Sequence, residues 1–181
     1  MSARRIALSG SAGTGKTTLA RALAARLDLP YIEEGFRERV KRGLKMYKLD
    51  ERQRRELMRD MWEEQREREL AATEGFVSDR SCVDFAAFWL HYDLMDAVDD
   101  TREFMEFMGA EVERVDLILL CPWGVLPLEP DGVRSTNPWL QLRYQSLLEG
   151  MHLRYTPAEK LVRVPETDDL ERRLEAVSAA L

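Results

Sequence analysis

The chain has 181 residues, 45% of them apolar and 33% charged, which suits one globular domain and excludes both a disordered chain and a membrane-embedded one. No apolar run approaches the roughly 20 residues of a spanning helix, and the first residues fit neither a secretory nor a transit segment, so a cytoplasmic protein with no membrane contact is expected. A formal charge of -6 disfavours a general nucleic-acid binder, and Cys82 and Cys121, with neither metal nor disulfide spacing, read as small buried hydrophobes.

Residues 5–9 read as a strand and 16–27 as a helix with Leu19, Leu23 and Leu27 four apart on one face. Residues 30–33 give a short second strand. Helical patterns follow at 36–45 and 51–72, the second striped by Leu57, Met58, Met61 and Trp62. A third strand at 75–79 precedes helices at 82–92 and 102–111; the aromatics Phe85, Phe88, Trp89 and Tyr92 recur at helical spacing and read as core before they read as a base-stacking wall. Residues 115–120 are continuously apolar, the mark of a strand buried on both faces.

Between 122 and 138 there are four prolines and two glycines and no periodicity, so this stretch is expected to be a lid loop. Asn137 and Pro138 look like an N-cap and first helical position for a helix reaching about residue 155. A fifth strand at 160–164 and a last helix follow, the helix opened by Thr167 with Leu170, Leu174, Val177 and Leu181 turned inward. No linker or repeat divides the chain. The whole is expected to be one α/β domain over 1–181, a five-stranded parallel sheet with helices on both faces, binding ligands beyond the carboxyl ends of its strands.

Gly10, Ser11, Ala12, Gly13, Thr14, Gly15, Lys16 and Thr17 match G-x-x-x-x-G-K-[ST] between a strand and a helix, with Thr18 following. Glycines let successive N–H groups turn toward phosphate oxygens, and a helix N-terminus stands behind them. Lys16 is expected to reach the β- and γ-phosphates of ATP, and the Thr17 hydroxyl to hold Mg²⁺.

Asp79 and Arg80 stand at the end of the third strand, where a carboxylate can share the metal with Thr17 and an arginine can neutralise phosphoryl charge. Ser81 and Asp84 have capping-box spacing, and Asp84 is also a candidate substrate ligand. After the second strand, Glu34 is placed to accept a proton from an acceptor hydroxyl and Arg37 to grip the acceptor. The alternative for this pair is an acid-decorated helix start. Arg134, in the lid, is the candidate to close on the transferring phosphate, with Arg143 in the next helix assisting. Neither His91 nor His152 has a partner pattern.

Charge is uneven along the chain. Residues 37–55 hold nine cations (Arg37, Arg39, Lys41, Arg42, Lys45, Lys48, Arg52, Arg54, Arg55) against three acids (Glu38, Asp50, Glu51), so this stretch is +6 and the remainder -12. Such a run suits a phosphate-bearing acceptor, either a mononucleotide or a group within a nucleic acid, or else a solvated helical face paired with the acids of 51–69.

Together these residues resemble the P-loop kinases of small molecules, most closely the ribosylnicotinamide-kinase-like group that often carries the label AAA-type ATPase. Deoxynucleoside and thymidylate kinases are similar at the same places. The likeness covers the strand and phosphate loop at 5–17, the E-x-x-R element from Glu34 to Arg37, Asp79-Arg80-Ser81 with Asp84, the D-G-V-R element at 131–134, and residues 161–165 before the final helix. It implies that Glu34 serves as base or sugar ligand, that Asp79 and Arg80 sit beside the γ-phosphate, and that Arg134 closes on the donor. The second lid arginine common in nucleotide kinases is absent, and no sensor-arginine or arginine-finger element accompanies the AAA label. A phosphotransferase acting on a nucleoside- or nucleotide-like acceptor, as monomer or homodimer, is expected. The alternatives are a kinase of nucleic acid and a hydrolysing switch module. Against hydrolysis, no N-K-x-D element occurs, and Arg80 stands where a motor's catalytic Glu would be.

Overall fold

The computed structural model describes residues 4–129 and 135–181. Five strands, β1 (Arg4–Ser9), β2 (Tyr31–Ile32), β3 (Gly75–Asp79), β4 (Leu117–Leu120) and β5 (Leu161–Arg163), form one sheet in the order β2-β3-β1-β4-β5. Every pairing is parallel. The crossovers carry helices α1 (Lys16–Leu27), α2 (Phe36–Lys41), α3 (Glu51–Ala71), α4 (Cys82–His91), α5 (Val98–Glu111), α6 (Pro138–Tyr155) and α7 (Leu170–Ser178).

Parallel strands covered on both faces must be apolar on both, and β3 and β4 are buried at every position. Alternation along β1 and β4 then feeds two cores. Ala7, Ile118 and Leu120 join Phe76, Met58, Trp62, Phe85, Trp89 and Phe104 beneath α3 to α6. Ile6, Leu8, Leu117 and Leu119 join Leu19, Leu23, Leu174 and Val177 beneath α1 and α7. Cys82 and Cys121 are buried and free, as their spacing suggests.

The helix expected over 36–45 ends at Lys41, where Gly43 takes φ +99° and a short 3-10 turn follows at Met46–Lys48. Helix α5 starts at Val98 rather than 102, with Asp99 and Asp100 in its first turn. The last helix is capped by Asp169, which accepts from Glu171 N at 2.9 Å, and not by Thr167, whose hydroxyl accepts from Asp169 N. That helix stops at Ser178, so Leu181 lies beyond it and is partly exposed rather than inward. The expected caps at Asn137 and at Ser81 with Asp84 are formed.

Among the described residues no helix is long and apolar enough to cross a membrane. Within 122–138 the described residues preceding Pro138 form neither helix nor strand, as the proline content suggests. Residues 130–134, and with them Arg134, lie outside the described residues.

Candidate active site

The sheet order puts β1 between β3 and β4, so the loop leaving β1 opens where the chain crosses to either side. Gly10 holds φ +143°, and a Cβ there would stand 3.0 Å from the Cys121 carbonyl oxygen. Only glycine fits that close approach. Gly13 and Gly15 turn at φ +76° and +80°, and Leu128 and Leu126 of the lid stretch pack over them. Lys16 is buried; its ammonium donates to Ser11 O at 2.6 Å and to Thr14 Oγ1 at 3.4 Å, among other contacts.

Two glutamines of α6 tie down the start of this loop. Gln145 Oε1 accepts from Ser11 N at 2.8 Å, and Gln141 Oε1 accepts from Ala12 N at 3.2 Å while its amide donates to Ser135 O. From the other side Arg173 of α7 donates to Thr14 O at 2.7 Å and to Thr167 O at 2.6 Å. None of these three side chains belongs to a motif, and no local spacing marks them.

At the end of β3 the Thr17 hydroxyl donates to Asp79 Oδ2 at 2.5 Å, and Tyr31 OH donates to the same oxygen at 3.3 Å. Burial, then the Asp79 charge, raise the Tyr31 phenol well above its ordinary range, so it remains a donor. Asp79 Oδ1 is buried without a hydrogen-bond partner. An orphaned carboxylate oxygen beside a hydroxyl and a phosphate loop is the donor set a hard cation takes together with phosphate oxygens. The pair therefore fits Mg²⁺.

Arg80 follows at φ +132°, a conformation that side chains seldom adopt. Its guanidinium is almost fully buried and pairs with Glu34 at 3.1 Å and with Asp84 at 2.8 Å, donating also to Gly10 O at 2.8 Å. The Phe88 and Tyr144 rings lie beneath it at 4.9 and 5.8 Å. Burial alone would lower its pKa, but Glu34, Tyr144, Asp84 and Asp79 outweigh that and hold the guanidinium charged.

Asp84 is fully buried and accepts from Arg80, from Ser9 Oγ at 2.6 Å, from Ser81 N and Oγ at 3.1 and 2.8 Å, and from Tyr144 OH at 3.3 Å. Burial would raise its carboxyl, yet the Arg80 charge and the Ser9 hydrogen bond bring it below the ordinary carboxylate value. Its oxygens are taken up by these bonds.

Two cavities flank this cluster. One, about 430 Å³, is lined by the phosphate loop from Ala12 to Thr18, by Arg37 and by Leu126 to Glu129. The other, about 500 Å³, has Glu34 and Arg80 in a wall of Phe36, Met58, Met61, Phe88, Tyr92 and Tyr144. Both touch Ala12 and Ser135. Such a volume is typical of a small-molecule site. The α4 aromatics divide: Phe85 and Trp89 are core, whereas Phe88 and Tyr92 face the cavity.

Arg37 thus lines the phosphate-loop cavity, not the apolar one. Arg143 is brought elsewhere, bonding the His91 carbonyl at 3.0 Å and Asp93 at 3.3 Å. Of the nine cations in 37–55, only Lys45 lines the apolar cavity. Arg39 pairs with Glu64, Arg42 with Glu38, Arg52 with Glu56, and Arg55 with Glu51 and Asp100.

A family model described as an AAA domain matches residues 5–173. No curated protein matches the chain. Among solved structures, a NadR protein in complex with NAD and AMP-PNP superposes at a TM-score of 0.71 with 20% identity, over 98% of this chain and 49% of that one. The same protein in complex with NR gives 0.69. A deoxyadenosine kinase from M. mycoides gives 0.65 with 16% identity, over 97% and 96% of the two chains. The chain spans about half the length of NadR. At such identities the likeness concerns the fold, that of P-loop nucleotide kinases.

Proposed function

The chain belongs to the AAA domain family, and from that premise and the site we propose that it is a P-loop kinase that moves the γ-phosphate of ATP to a hydroxyl of a small nucleoside-like acceptor. One observation carries the reading: the buried Glu34–Arg80 ion pair, at 3.1 Å, stands in an aromatic-walled cavity that adjoins the phosphate-loop cavity through Ala12 and Ser135. A hydrolysing switch has no use for a second, apolar cavity beside its phosphate loop. The NadR and deoxyadenosine kinase likenesses support the same class.

In this reading the donor triphosphate lies in the turn from Gly10 to Thr18, its charge met by Lys16 and the amides at the α1 N-terminus. Thr17 and Asp79 would hold Mg²⁺, which would neutralise phosphate charge when bound. The acceptor ring lies among Phe88, Tyr92 and Tyr144. Its hydroxyl faces Glu34, which takes the proton as the oxygen attacks the γ-phosphorus and ADP departs. Arg80 balances the charge of the transferring group. Asp84 acts on Arg80 rather than on the acceptor, because its oxygens are already committed. Arg37, beside the phosphate loop, acts on the donor side. The acid-paired cations of 37–55 favour a small acceptor over a nucleic acid.

The test is ATP turnover with pools of nucleosides, mononucleotides and single-stranded oligonucleotides. Stimulation by nucleosides with a phosphorylated product is expected. Equal turnover in every pool would overturn the proposal.

A further inference from the structure

His152, on α6, is a buried titratable side chain near the site that the proposed mechanism leaves without a task. It is fully buried and ends an unbroken chain of hydrogen bonds that reaches Arg80. Its Nε2 lies 2.7 Å from Ser9 Oγ and its Nδ1 2.9 Å from Thr156 Oγ1. Ser9 Oγ in turn lies 2.6 Å from Asp84 Oδ2, and Asp84 Oδ1 takes Arg80 at 2.8 Å.

Proton bookkeeping sets every direction in this chain. The Asp84 carboxylate only accepts, so the single Ser9 hydroxyl proton points to it. Ser9 Oγ then offers His152 only a lone pair, so Nε2 carries the ring proton and Nδ1 accepts from the Thr156 hydroxyl. This is not a hydrolase triad: the carboxylate contacts the serine instead of the histidine, and the serine itself is fully buried. The chain's output is mechanical. Ser9 precedes Gly10, whose carbonyl also accepts from Arg80. Arg80 must be held in a backbone conformation, φ +132°, that persists only where its surroundings over-determine it.

We propose that His152 is a positioning residue for phosphoryl transfer: through the Ser9 hydroxyl it orients the Asp84 carboxylate, and so fixes the Arg80 guanidinium between Glu34 and the start of the phosphate loop. The inference rests on the kinase reading above for what Arg80 does, but not for the hydrogen-bond chain itself. With Nε2–H withdrawn, the Ser9 oxygen loses the donor that holds it against Asp84, and one of the contacts that orient Asp84 toward Arg80 is loosened while those from Ser81 and Tyr144 remain. Donor binding, which uses the loop amides and Lys16, stays as it was.

Two experiments on the whole chain test this. Nitrogen NMR of the two histidines, with a His152→Gln variant to assign the signals, reads the tautomer. An Nε2–H ring is expected, and an Nδ1–H ring overturns the proposal. Steady-state kinetics follow on wild type, His152→Phe, His152→Gln and Ser9→Ala. Hydrogen-bond partners that orient metal-ligating side chains are typically worth tenfold or more, and a partner that orients Arg80 through Asp84 is expected to be worth the same order. His152→Phe is therefore expected to lose kcat roughly tenfold with an unchanged KM for ATP. His152→Gln, which restores an N–H donor, is expected to recover most of it. Should the phenylalanine variant not fold, Ser9→Ala carries the same expectation, and combining it with His152→Gln should add no further loss. Wild-type kcat per folded molecule in His152→Phe or Ser9→Ala overturns the role of His152 alone. A wild-type chain that phosphorylates no acceptor overturns the kinase reading, and the assignment of transfer to Arg80 with it, while the tautomer still reports on the chain of hydrogen bonds.

Discussion

Burial holds the His152 imidazole down to about 4 from its ordinary 6.5, with Arg163 adding to the effect and the Asp84 and Glu149 carboxylates opposing it. The ring makes its two hydrogen bonds in the neutral form, and it is fully buried. An unfolded chain takes up the proton near pH 6.5, whereas the folded chain refuses it until about pH 4. The stabilisation is therefore complete above pH 6.5 and is lost as pH falls through this window. At about 1.36 kcal/mol per pH unit the whole interval amounts to about 3 kcal/mol, of which about 2 kcal/mol is lost between pH 7 and pH 5. Urea unfolding of wild type and His152→Gln at both pH values isolates this contribution, because every other titratable group is common to the two chains. Wild type should lose about 2 kcal/mol more than the variant on acidification, even if the variant starts lower. For a chain of this size that corresponds to a melting-temperature difference of roughly 4–8 °C. Equal losses in both chains would refute a histidine kept neutral by burial.

Lys16→Ala should abolish phosphoryl transfer while circular dichroism stays native, since the ammonium neutralises donor charge; residual wild-type activity would remove the phosphate-loop argument. Gly10→Ala places a Cβ 3.0 Å from the Cys121 carbonyl at φ +143°, so a loss of roughly 1–3 kcal/mol in denaturant unfolding is expected. Arg80→Met leaves Glu34 and Asp84 buried without their counter-charge, and should destabilise by about 3–5 kcal/mol as well as stop transfer. Changing Arg39, Lys41 and Arg42 together to Gln should leave the acceptor KM unchanged, because none of the three lines the apolar cavity; a raised KM would return the basic run to the acceptor site.

What the sequence disclosed, and what it hid, divides by range. The bounds of α1 and β3 are legible because Gly15-Lys16 and Asp79-Arg80 punctuate periodic runs with residues that local chemistry demands there. The parallel sheet follows from the alternation of strands and helices, and the apposition of Thr17 with Asp79 follows from motif spacing. Thr167 was a plausible cap, but Asp169 accepts from two amides where Thr167 would have to compete with it. Tertiary pairs are harder to read. Gln145, Arg173 and His152 meet residues 134, 159 and 143 positions away, and no local pattern encodes such partners. The basic run is legible in part: Arg52–Glu56 and Arg55–Glu51 are local pairs of the kind a helical face paired with the acids of 51–69 implies, whereas Arg39–Glu64 and Arg55–Asp100 become neighbours only through the packing of α2, α3 and α5.

The most direct measurement incubates the purified chain with ATP, Mg²⁺ and a mixed nucleoside pool, and follows ADP and every nucleoside by mass spectrometry. The account predicts one nucleoside gaining a phosphoryl group for each ADP formed, with both signals lost in Lys16→Ala. ADP accumulating with free phosphate alone, and no phosphorylated acceptor, would contradict it.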